Sequence, residues 1–136
     1  MIDKVQLVYI AGPITGDPVY RDKFASAERT LRELGLAAYN PAYNLRPLDE
    51  KGVDYDTILE CCLQTVSCCD AIALLPGWKR SNGARAELAR YCESRQADEC
   101  VIFELNMYPY PADPTRYSTV VTRFDGLSAW QAEQQP

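Results

Sequence analysis

Residues 69–91, CDAIALLPGWKRSNGARAELARY, contain a predicted buried strand, a polar loop and a helix in that order. The continuous apolar run at residues 71–75 is typical of a strand that is covered on both faces of its sheet. A Pro-Gly pair ends this strand, and Ser81 or Asn82 is the predicted N-cap of the helix. A strand connected in this way to a helix is the building unit of an open α/β sheet.

The remaining chain alternates between short apolar strands and amphipathic helices. Strands are predicted at residues 5–10, 36–39 and 100–105, where β-branched and other apolar residues cluster. Helices are predicted within residues 17–35 and over residues 55–67, where apolar residues recur every three to four positions. This alternation predicts an α/β fold with a mostly parallel open sheet and helices on both faces, of the Rossmann or flavodoxin-like type.

Three segments lack such a pattern. Residues 43–54 are polar and contain a proline and a glycine, which indicates a surface loop over a ligand site. After Leu105, several prolines interrupt the pattern, although residues 117–124 are compatible with one more strand. Residues 131–136 are predicted to be a frayed tail.

Length and composition predict one domain over residues 1–136. No apolar run approaches the ~20 residues of a membrane span, and the first residues lack a signal-peptide pattern. We therefore expect a cytoplasmic protein that makes no contact with membranes. The net charge of −5 and the lack of a basic cluster argue against nucleic-acid binding. A small anionic ligand is compatible with this charge, because a pocket can be locally positive.

Six cysteines and the absence of histidine limit the chemistry that the chain can perform. The adjacent pairs Cys61-Cys62 and Cys68-Cys69 do not have the spacing of a zinc knuckle. We expect reduced cysteines that act as small core residues, with neither a metal nor a cofactor. Without histidine, Ser-His-Asp and Cys-His catalysis are excluded.

Candidate site residues follow the predicted strands at their carboxyl ends, where open α/β sheets bind ligands. Ser81, Gly83 and Glu87 should face one crevice beside a helix N-terminus. Glu87 is either a first-turn acid, worth ~0.3–1 kcal/mol with the helix dipole, or a nucleophile or general base. Asn40 is either a turn residue or an amide that contacts a base or sugar. The glycine-containing loop at residues 11–16 is of a kind that commonly contacts phosphate or sugar.

Three motifs, in this order along the chain, resemble those of the nucleoside 2-deoxyribosyltransferase superfamily. The likeness spans about residues 5–105 and is nearest to short deoxyribosyltransferase-like proteins and 2′-deoxynucleoside 5′-phosphate N-hydrolases. The motifs are Val8-Tyr9-Ile10-Ala11-Gly12-Pro13-Ile14, Tyr39-Asn40-Pro41-Ala42, and Ser81-x-Gly83-x-x-x-Glu87.

This resemblance implies cleavage or transfer at the N-glycosidic bond of a (deoxy)nucleoside 5′-monophosphate through a covalent glycosyl-enzyme. It implies that Glu87 is the nucleophile and that Tyr9 is a catalytic residue in the pocket. A serine at position 81, where an acid would repel a phosphate, favours a monophosphate over a free nucleoside. The substrate-binding residues that it implies are Gly12, Ile14, Asn40, Ser81 and Gly83.

One position departs from the family pattern. An aspartate usually stands eight residues before the equivalent of Asp70, and this chain has Cys62 there. Asp54 or Asp56 would have to replace that acid. Alternatives are a non-catalytic nucleotide-binding module on the same scaffold, or an interaction protein with a vestigial crevice. The resemblance further implies a homodimer or higher homo-oligomer, with residues 107–117 near a neighbour's pocket.

Overall fold

The buried strand predicted at residues 71–75 is the central strand of the sheet. Over residues 4–134, which this computed structural model describes, the strands are β1 (Leu7–Ala11), β2 (Ala37–Tyr39), β3 (Ala71–Leu74), β4 (Val101–Tyr110) and β5 (Asp113–Asp125). Their order is β2-β1-β3-β4-β5, with β5 alone antiparallel to its neighbour. This is the strand order of flavodoxin-like sheets, so the predicted α/β fold with a mostly parallel open sheet is confirmed.

Helices cover both faces of the sheet, as the alternating pattern predicts. They are α1 (Tyr20–Glu33), α2 (Pro41–Asn44), α3 (Arg46–Glu50), α4 (Tyr55–Ser67), α5 (Asn82–Glu93) and α6 (Leu127–Gln134). Phe24 and Leu31 of α1 pack with Val8 on one face, whereas α4 and α5 pack on the other face. Successive residues of a strand face opposite sides, so β1 contributes Val8 to one core and Tyr9 to the other.

Two polar side chains, those of Asp70 and Tyr91, join the strands at their amino ends. The Asp70 carboxylate accepts hydrogen bonds from the backbone N–H groups of Gln6 at 3.0 Å and Leu7 at 2.9 Å. The hydroxyl of the buried Tyr91 donates to the Asp70 carbonyl at 2.6 Å and accepts from the Val101 N–H at 2.9 Å. These bonds connect the starts of β1, β3 and β4, and the carboxyl ends of the strands are left for loops.

The segment predicted as a loop at residues 43–54 is instead mostly helical, in α2 and α3. Asn40 caps α2 by accepting a hydrogen bond from the Tyr43 N–H at 3.3 Å. Pro41 and Pro47 lie at the first positions of the two helices, where a proline needs no N–H partner. The prolines therefore start helices here rather than interrupting structure.

The predicted break after Leu105 is also wrong, because β4 continues to Tyr110 and pairs with β5 as a long hairpin. β3 pairs with β4 as far as Glu104, so the later part of β4 relies on β5. Pro109 lies at a register shift and Pro114 lies on the edge strand, two positions where sheets tolerate proline.

The predicted frayed tail at residues 131–136 is helical as far as Gln134, and residues 135–136 lie outside the described part of the chain. Trp130 of α6 is buried, and its indole N–H donates to the Glu104 carboxylate at 3.0 Å. Gln134 donates to the same carboxylate at 2.7 Å. These contacts attach α6 to the sheet. The polar composition of residues 131–136 does not predict such an attachment.

All six cysteines are free thiols, and Cys62, Cys69 and Cys100 are buried as predicted for core residues. Cys61 and Cys68 are exposed, so the core prediction is wrong for these two. Adjacent residues of a helix point about 100° apart, so Cys61 turns outward from α4 where Cys62 turns inward. Cys68 and Cys69 follow the end of α4. Within residues 4–134, no cluster of three or more His, Cys, Asp or Glu could hold a metal ion. None of the helices in this range is long and apolar enough to cross a membrane.

Candidate functional site

A cavity lies at the carboxyl ends of the neighbouring strands β1 and β3. The chain leads from β1 to β2 on one side of this pair and from β3 to β4 on the other side. This switch point is where open α/β sheets bind ligands. The loop after β1 supplies one wall through Gly12 and Ile14, and the loop after β3 supplies another through Ser81 and Gly83. Glu87 lies at the bottom of the cavity, so five of the predicted site residues line one crevice.

The cavity has two lobes that share Glu87, Cys62 and Tyr55 among their lining residues. The lobe of about 470 Å³, here called the Ser81 lobe, is further lined by Arg80, Ser81, Asn82 and Gly83. The lobe of about 200 Å³, here called the Phe24 lobe, is further lined by Tyr20, Phe24, Ala42, Leu45, Arg46 and Asp49. The Ser81 lobe is therefore the more polar of the two, and the Glu87 carboxyl group lines both.

Glu87 is buried in the second turn of α5, with 7% of its surface exposed. The first turn holds no acidic residue, so the interpretation of Glu87 as a first-turn dipole partner is wrong. Burial raises the pKa of Glu87 to about 7, and hydrogen bonds from Tyr9 and then Cys62 partly oppose this rise. Near neutral pH the carboxyl group is therefore present both in its acid form and as a carboxylate.

Tyr9 lies behind Glu87 rather than in the cavity wall. Its side chain is fully buried, and its hydroxyl donates a hydrogen bond to Oε2 of Glu87. The ring stacks on Tyr39 with centroids 5.6 Å apart, which fixes its position. Burial and the adjacent Glu87 carboxylate raise the pKa of Tyr9 well above its usual value. Tyr9 is thus a permanent donor that orients one carboxylate oxygen.

Cys62 projects from α4 against the same pair of side chains. Burial is the main cause that raises the pKa of its thiol to about 12, and the Glu87 charge adds to the rise. The thiol is therefore protonated at neutral pH and acts as a weak donor. Asp54 is occupied as the N-cap of α4, accepting from the Thr57 N–H at 2.8 Å. Neither Asp54 nor Asp56 is in the cavity wall, so they do not replace the acid that the family pattern leads one to expect.

Ser81 is the N-cap of α5, as predicted. Its Oγ accepts a hydrogen bond from the Ala84 N–H at 3.1 Å, and the hydroxyl proton is still able to donate to a ligand. Arg80 lines the Ser81 lobe, whereas Lys79 does not. The Arg85 guanidinium donates to the Asn82 side chain. Arg80 is therefore the positively charged residue of this loop that lies next to the lobe.

The two predicted glycines of the site, Gly12 and Gly83, are needed for different structural reasons. A Cβ atom on Gly12 would lie 2.7 Å from Cβ of Leu75, so only glycine lets the loop after β1 pack on the end of β3. A Cβ atom on Gly83 would lie 3.2 Å from the hydroxyl oxygen of Tyr55, so Gly83 makes room for that phenol at the cavity. Both glycines shape the cavity wall.

Asn40, like Tyr9, is a predicted site residue that does not line the cavity. It is buried at the end of β2, and its Nδ2 donates to the Glu28 carboxylate at 3.1 Å. Its Oδ1 accepts from the Tyr43 N–H, as described above. Both ends of the amide are occupied, which agrees with the interpretation of Asn40 as a turn and capping residue.

The Phe24 lobe was not predicted from the sequence. Tyr20 and Phe24 have the spacing of core residues in a helix, and Arg46 and Asp49 come from the segment predicted as a loop. The only available signal was the proposal that residues 43–54 cover a ligand site, and part of that segment does line the lobe.

A separate surface hollow of about 550 Å³ lies between Trp78 and Trp130. Lys79 and Arg85 border it, but it contains no buried carboxylate. Since Glu87 is the one buried acid among residues 4–134, the candidate site is placed at the Glu87 cavity.

Comparison with curated proteins finds no match. A protein family described as "Domain of unknown function (DUF4406)" matches residues 6–97. The match includes every residue of the predicted site and about two thirds of the chain. The chain therefore belongs to the DUF4406 family.

Proposed function

We propose that the protein cleaves or transfers the N-glycosidic bond of a (deoxy)nucleoside 5′-monophosphate, with Glu87 as the nucleophile. The observation that carries this proposal is a buried carboxyl group that lines both the Ser81 lobe and the less polar Phe24 lobe. The sequence motifs that resemble the nucleoside 2-deoxyribosyltransferase superfamily support the same reaction. Together the lobes are in the range of ~300–1,000 Å³ that is usual for small-molecule sites.

The Ser81 lobe suits the phosphate. The first residues of α5 line this lobe, and the N-terminus of a helix favours anions. The Ser81 hydroxyl supplies a further donor, and Arg80 supplies positive charge. An anion is thereby held on an acidic protein by a local positive site.

The Phe24 lobe suits the base. Phe24, Leu45 and Ile58 give it apolar walls, and Tyr20 adds a second aromatic ring. Flat, mainly apolar rings bind to surfaces of this kind, and polar groups at the rim fix their orientation. With the phosphate and base in separate lobes, the sugar lies between them beside Glu87.

The reaction follows from this placement. The ionised Glu87 attacks C1′ of the sugar, the bond from C1′ to the base breaks, and the base leaves with the electron pair. Water or a second base then attacks C1′ and releases the Glu87 carboxylate. Tyr9 holds Oε2 of Glu87 by its hydrogen bond, so the position of the nucleophile is set before the substrate binds.

The test is incubation with each nucleoside 5′-monophosphate and chromatography for free base. Glu87→Gln should abolish base release, and intact-mass spectrometry of the wild-type protein should find a glycosyl adduct on the peptide that contains Glu87. Glu93→Gln is the matched control, because Glu93 is an exposed acid at the end of the same helix. Base release that is unchanged in Glu87→Gln would exclude this function.

A non-catalytic nucleotide-binding module is the second candidate. The observation that favours it is the Cys62 thiol, which stands beside Glu87 where a second acid would assist the reaction. For such a module, nucleoside monophosphates should raise the melting temperature without any release of base.

We also propose that the chain forms a homodimer or higher homo-oligomer through the hairpin of β4 and β5. Tyr108 and Tyr110 of this hairpin have 59% and 45% of their surface exposed. β4 runs parallel to β3 and extends past its carboxyl end. The tip of the hairpin therefore lies on the same side of the sheet as the Glu87 cavity, at the carboxyl ends of the parallel strands.

A further inference from the structure

The leaving base needs a proton in most N-glycoside cleavages. When the bond to C1′ breaks, the base keeps the electron pair, and a neutral base departs as an anion unless an acid protonates it. Enzymes usually provide a general acid for this step, which is worth ~10²–10⁴-fold in rate. A base that already carries a positive charge departs as a neutral molecule and needs no acid.

The charged side chains that line the cavity beside Glu87 are poorly suited to act as this acid. Arg21, Arg46 and Arg80 line its lobes, and a guanidinium does not give up its proton in proteins. Asp49 lies at the exposed end of the Phe24 lobe, in an ion pair with Arg21 at 3.9 Å. Its side chain is 66% exposed, so it is not held in the interior as a proton donor would be.

The buried groups next to Glu87 are equally unsuited. Phenols and thiols in water titrate near ~10 and ~8.5, far above carboxylic acids. Tyr9 is turned to Glu87 and lies outside the cavity wall, and burial raises the pKa of the Cys62 thiol to about 12. Among residues 4–134, the one buried carboxyl is Glu87 itself, and the proposed reaction uses it as the nucleophile.

The same surroundings favour a cationic base. Glu87 brings a buried carboxylate to the Phe24 lobe, and the aromatic ring of Phe24 lies in the wall of the same lobe, where it can attract a cation. The two arginines of this lobe are already engaged, since Arg21 lies over Tyr20 and pairs with Asp49. Arg46 lies over the Tyr43 ring and forms an ion pair with Glu50 at 3.6 Å.

We propose that this site acts on nucleoside 5′-monophosphates whose base is a cation, specifically an N7-alkylated purine. The inference rests on the proposed function, because it names the substrate class of the same site. Oε of Glu87 bonds to C1′, the bond from C1′ to N9 breaks, and N9 takes the electron pair, so the cationic ring leaves neutral. Water then attacks C1′, breaks its bond to Glu87, and releases one proton to solvent.

The experiment compares kcat/KM for N7-methyl-2′-deoxyguanosine 5′-monophosphate and for the unmethylated nucleotide, each corrected for loss of base without protein. The wild-type protein should favour the methylated substrate by at least ~100-fold, the low end of the contribution of a general acid. Glu87→Gln should abolish the protein-dependent rate for both substrates. A preference under tenfold overturns the inference and leaves the proposed function intact. No protein-dependent release from either substrate overturns both.

Cys62→Asp supplies the second arm, because it places a carboxyl group beside Glu87. It should raise kcat/KM for the unmethylated nucleotide by at least ~10-fold, without raising it for the methylated one. Cys61→Asp is the matched control, since Cys61 is the exposed neighbour on the same helix and should change neither value. Equal acceleration of both substrates by Cys62→Asp would contradict the inference. Circular dichroism checks the fold of each variant, and the wild-type comparison stands if Cys62→Asp does not fold.

Discussion

At the scale of single residues, the burial of Glu87 affects stability as well as chemistry. The pKa of its carboxyl group rises from 4.5 to about 7 in the folded protein, with burial as the main cause. The acid form is therefore favoured by folding. Its contribution to stability is complete below pH ~4.5 and is lost as the pH rises through about 7. At higher pH the folded protein contains a buried charge.

This predicts a pH-dependent effect of Glu87→Gln, which removes the charge and keeps the shape. The free energy of unfolding of the variant minus that of wild type should increase from pH 5 to pH 8.5. The shift of the pKa sets the size of this increase at up to roughly 3 kcal/mol. Urea unfolding at both pH values measures the difference. Glu93→Gln, at the exposed end of α5, is the control. A Glu87→Gln effect of the same size at pH 5 and pH 8.5 would contradict the burial argument.

The candidate site was predictable where one short segment carries it. Ser81, Gly83 and Glu87 span one loop and two helical turns, so their spacing alone places them in one crevice. The Phe24 lobe combines side chains from α1, α2 and α3, and an apolar residue that lines a cavity has the same sequence pattern as one in the core. The position of Tyr9 behind Glu87 depends on tertiary packing, which sequence periodicity does not encode.

At the scale of secondary-structure elements, the N-terminus of α5 combines capping with the proposed phosphate site. Ser81 serves both, so its two roles can be separated by the choice of substitution. Ser81→Ala loses the cap, at a cost of about 1 kcal/mol in the free energy of unfolding. Ser81→Asp keeps a good N-cap residue and adds a negative charge to the lobe.

The two variants should therefore differ in stability, and both should weaken phosphate binding. Ser81→Ala should bind a nucleoside monophosphate about ten- to a hundredfold more weakly, because a hydrogen bond to a charged group is lost. Ser81→Asp should bind it at least as weakly, because its charge also repels the phosphate. Ser81→Asp should keep wild-type stability and still bind the free nucleoside. Calorimetry on a Glu87→Gln background avoids turnover, and thermal melts give stability. Unchanged monophosphate affinity in Ser81→Asp would place the phosphate elsewhere.

Elements with a long periodic pattern were predicted well, and those without one were not. The bounds of α4 agree with the prediction, and the ends of β1, β2 and β3 differ by one or two residues. α2 and α3 have four and five residues, too few for a helical period to be recognised. The β4–β5 hairpin depends on pairing between two strands that also contain prolines, and propensity alone assigns such residues to loops.

At the scale of the whole molecule, the amino ends of the strands contribute to stability and the carboxyl ends form the candidate site. Tyr91 and Asp70 connect the amino ends of the strands, and the candidate site occupies the carboxyl ends. Tyr91→Phe removes two hydrogen bonds and leaves the buried Val101 N–H without its partner. The free energy of unfolding should fall by about 1–3 kcal/mol. Base release by the folded variant at 25 °C should equal that of wild type, and a large loss of kcat/KM would show that the two ends of the strands are coupled.

The proposed assembly gives the last prediction, because the hairpin tip and the Glu87 cavity both lie at the carboxyl ends of the parallel strands. Light scattering should find at least two chains per particle for the wild-type protein. Replacing the exposed Tyr108 and Tyr110 with glutamate should give single chains, since charges are depleted from the centres of interfaces and tyrosine is enriched there. Leu34→Glu is the control, because Leu34 is 56% exposed at the end of α1, before β2 begins at the opposite edge. A wild-type protein that is a single chain at working concentration would rule out the assembly. If the neighbour's hairpin also closes the cavity, the double variant should lose base release in parallel with its loss of partners.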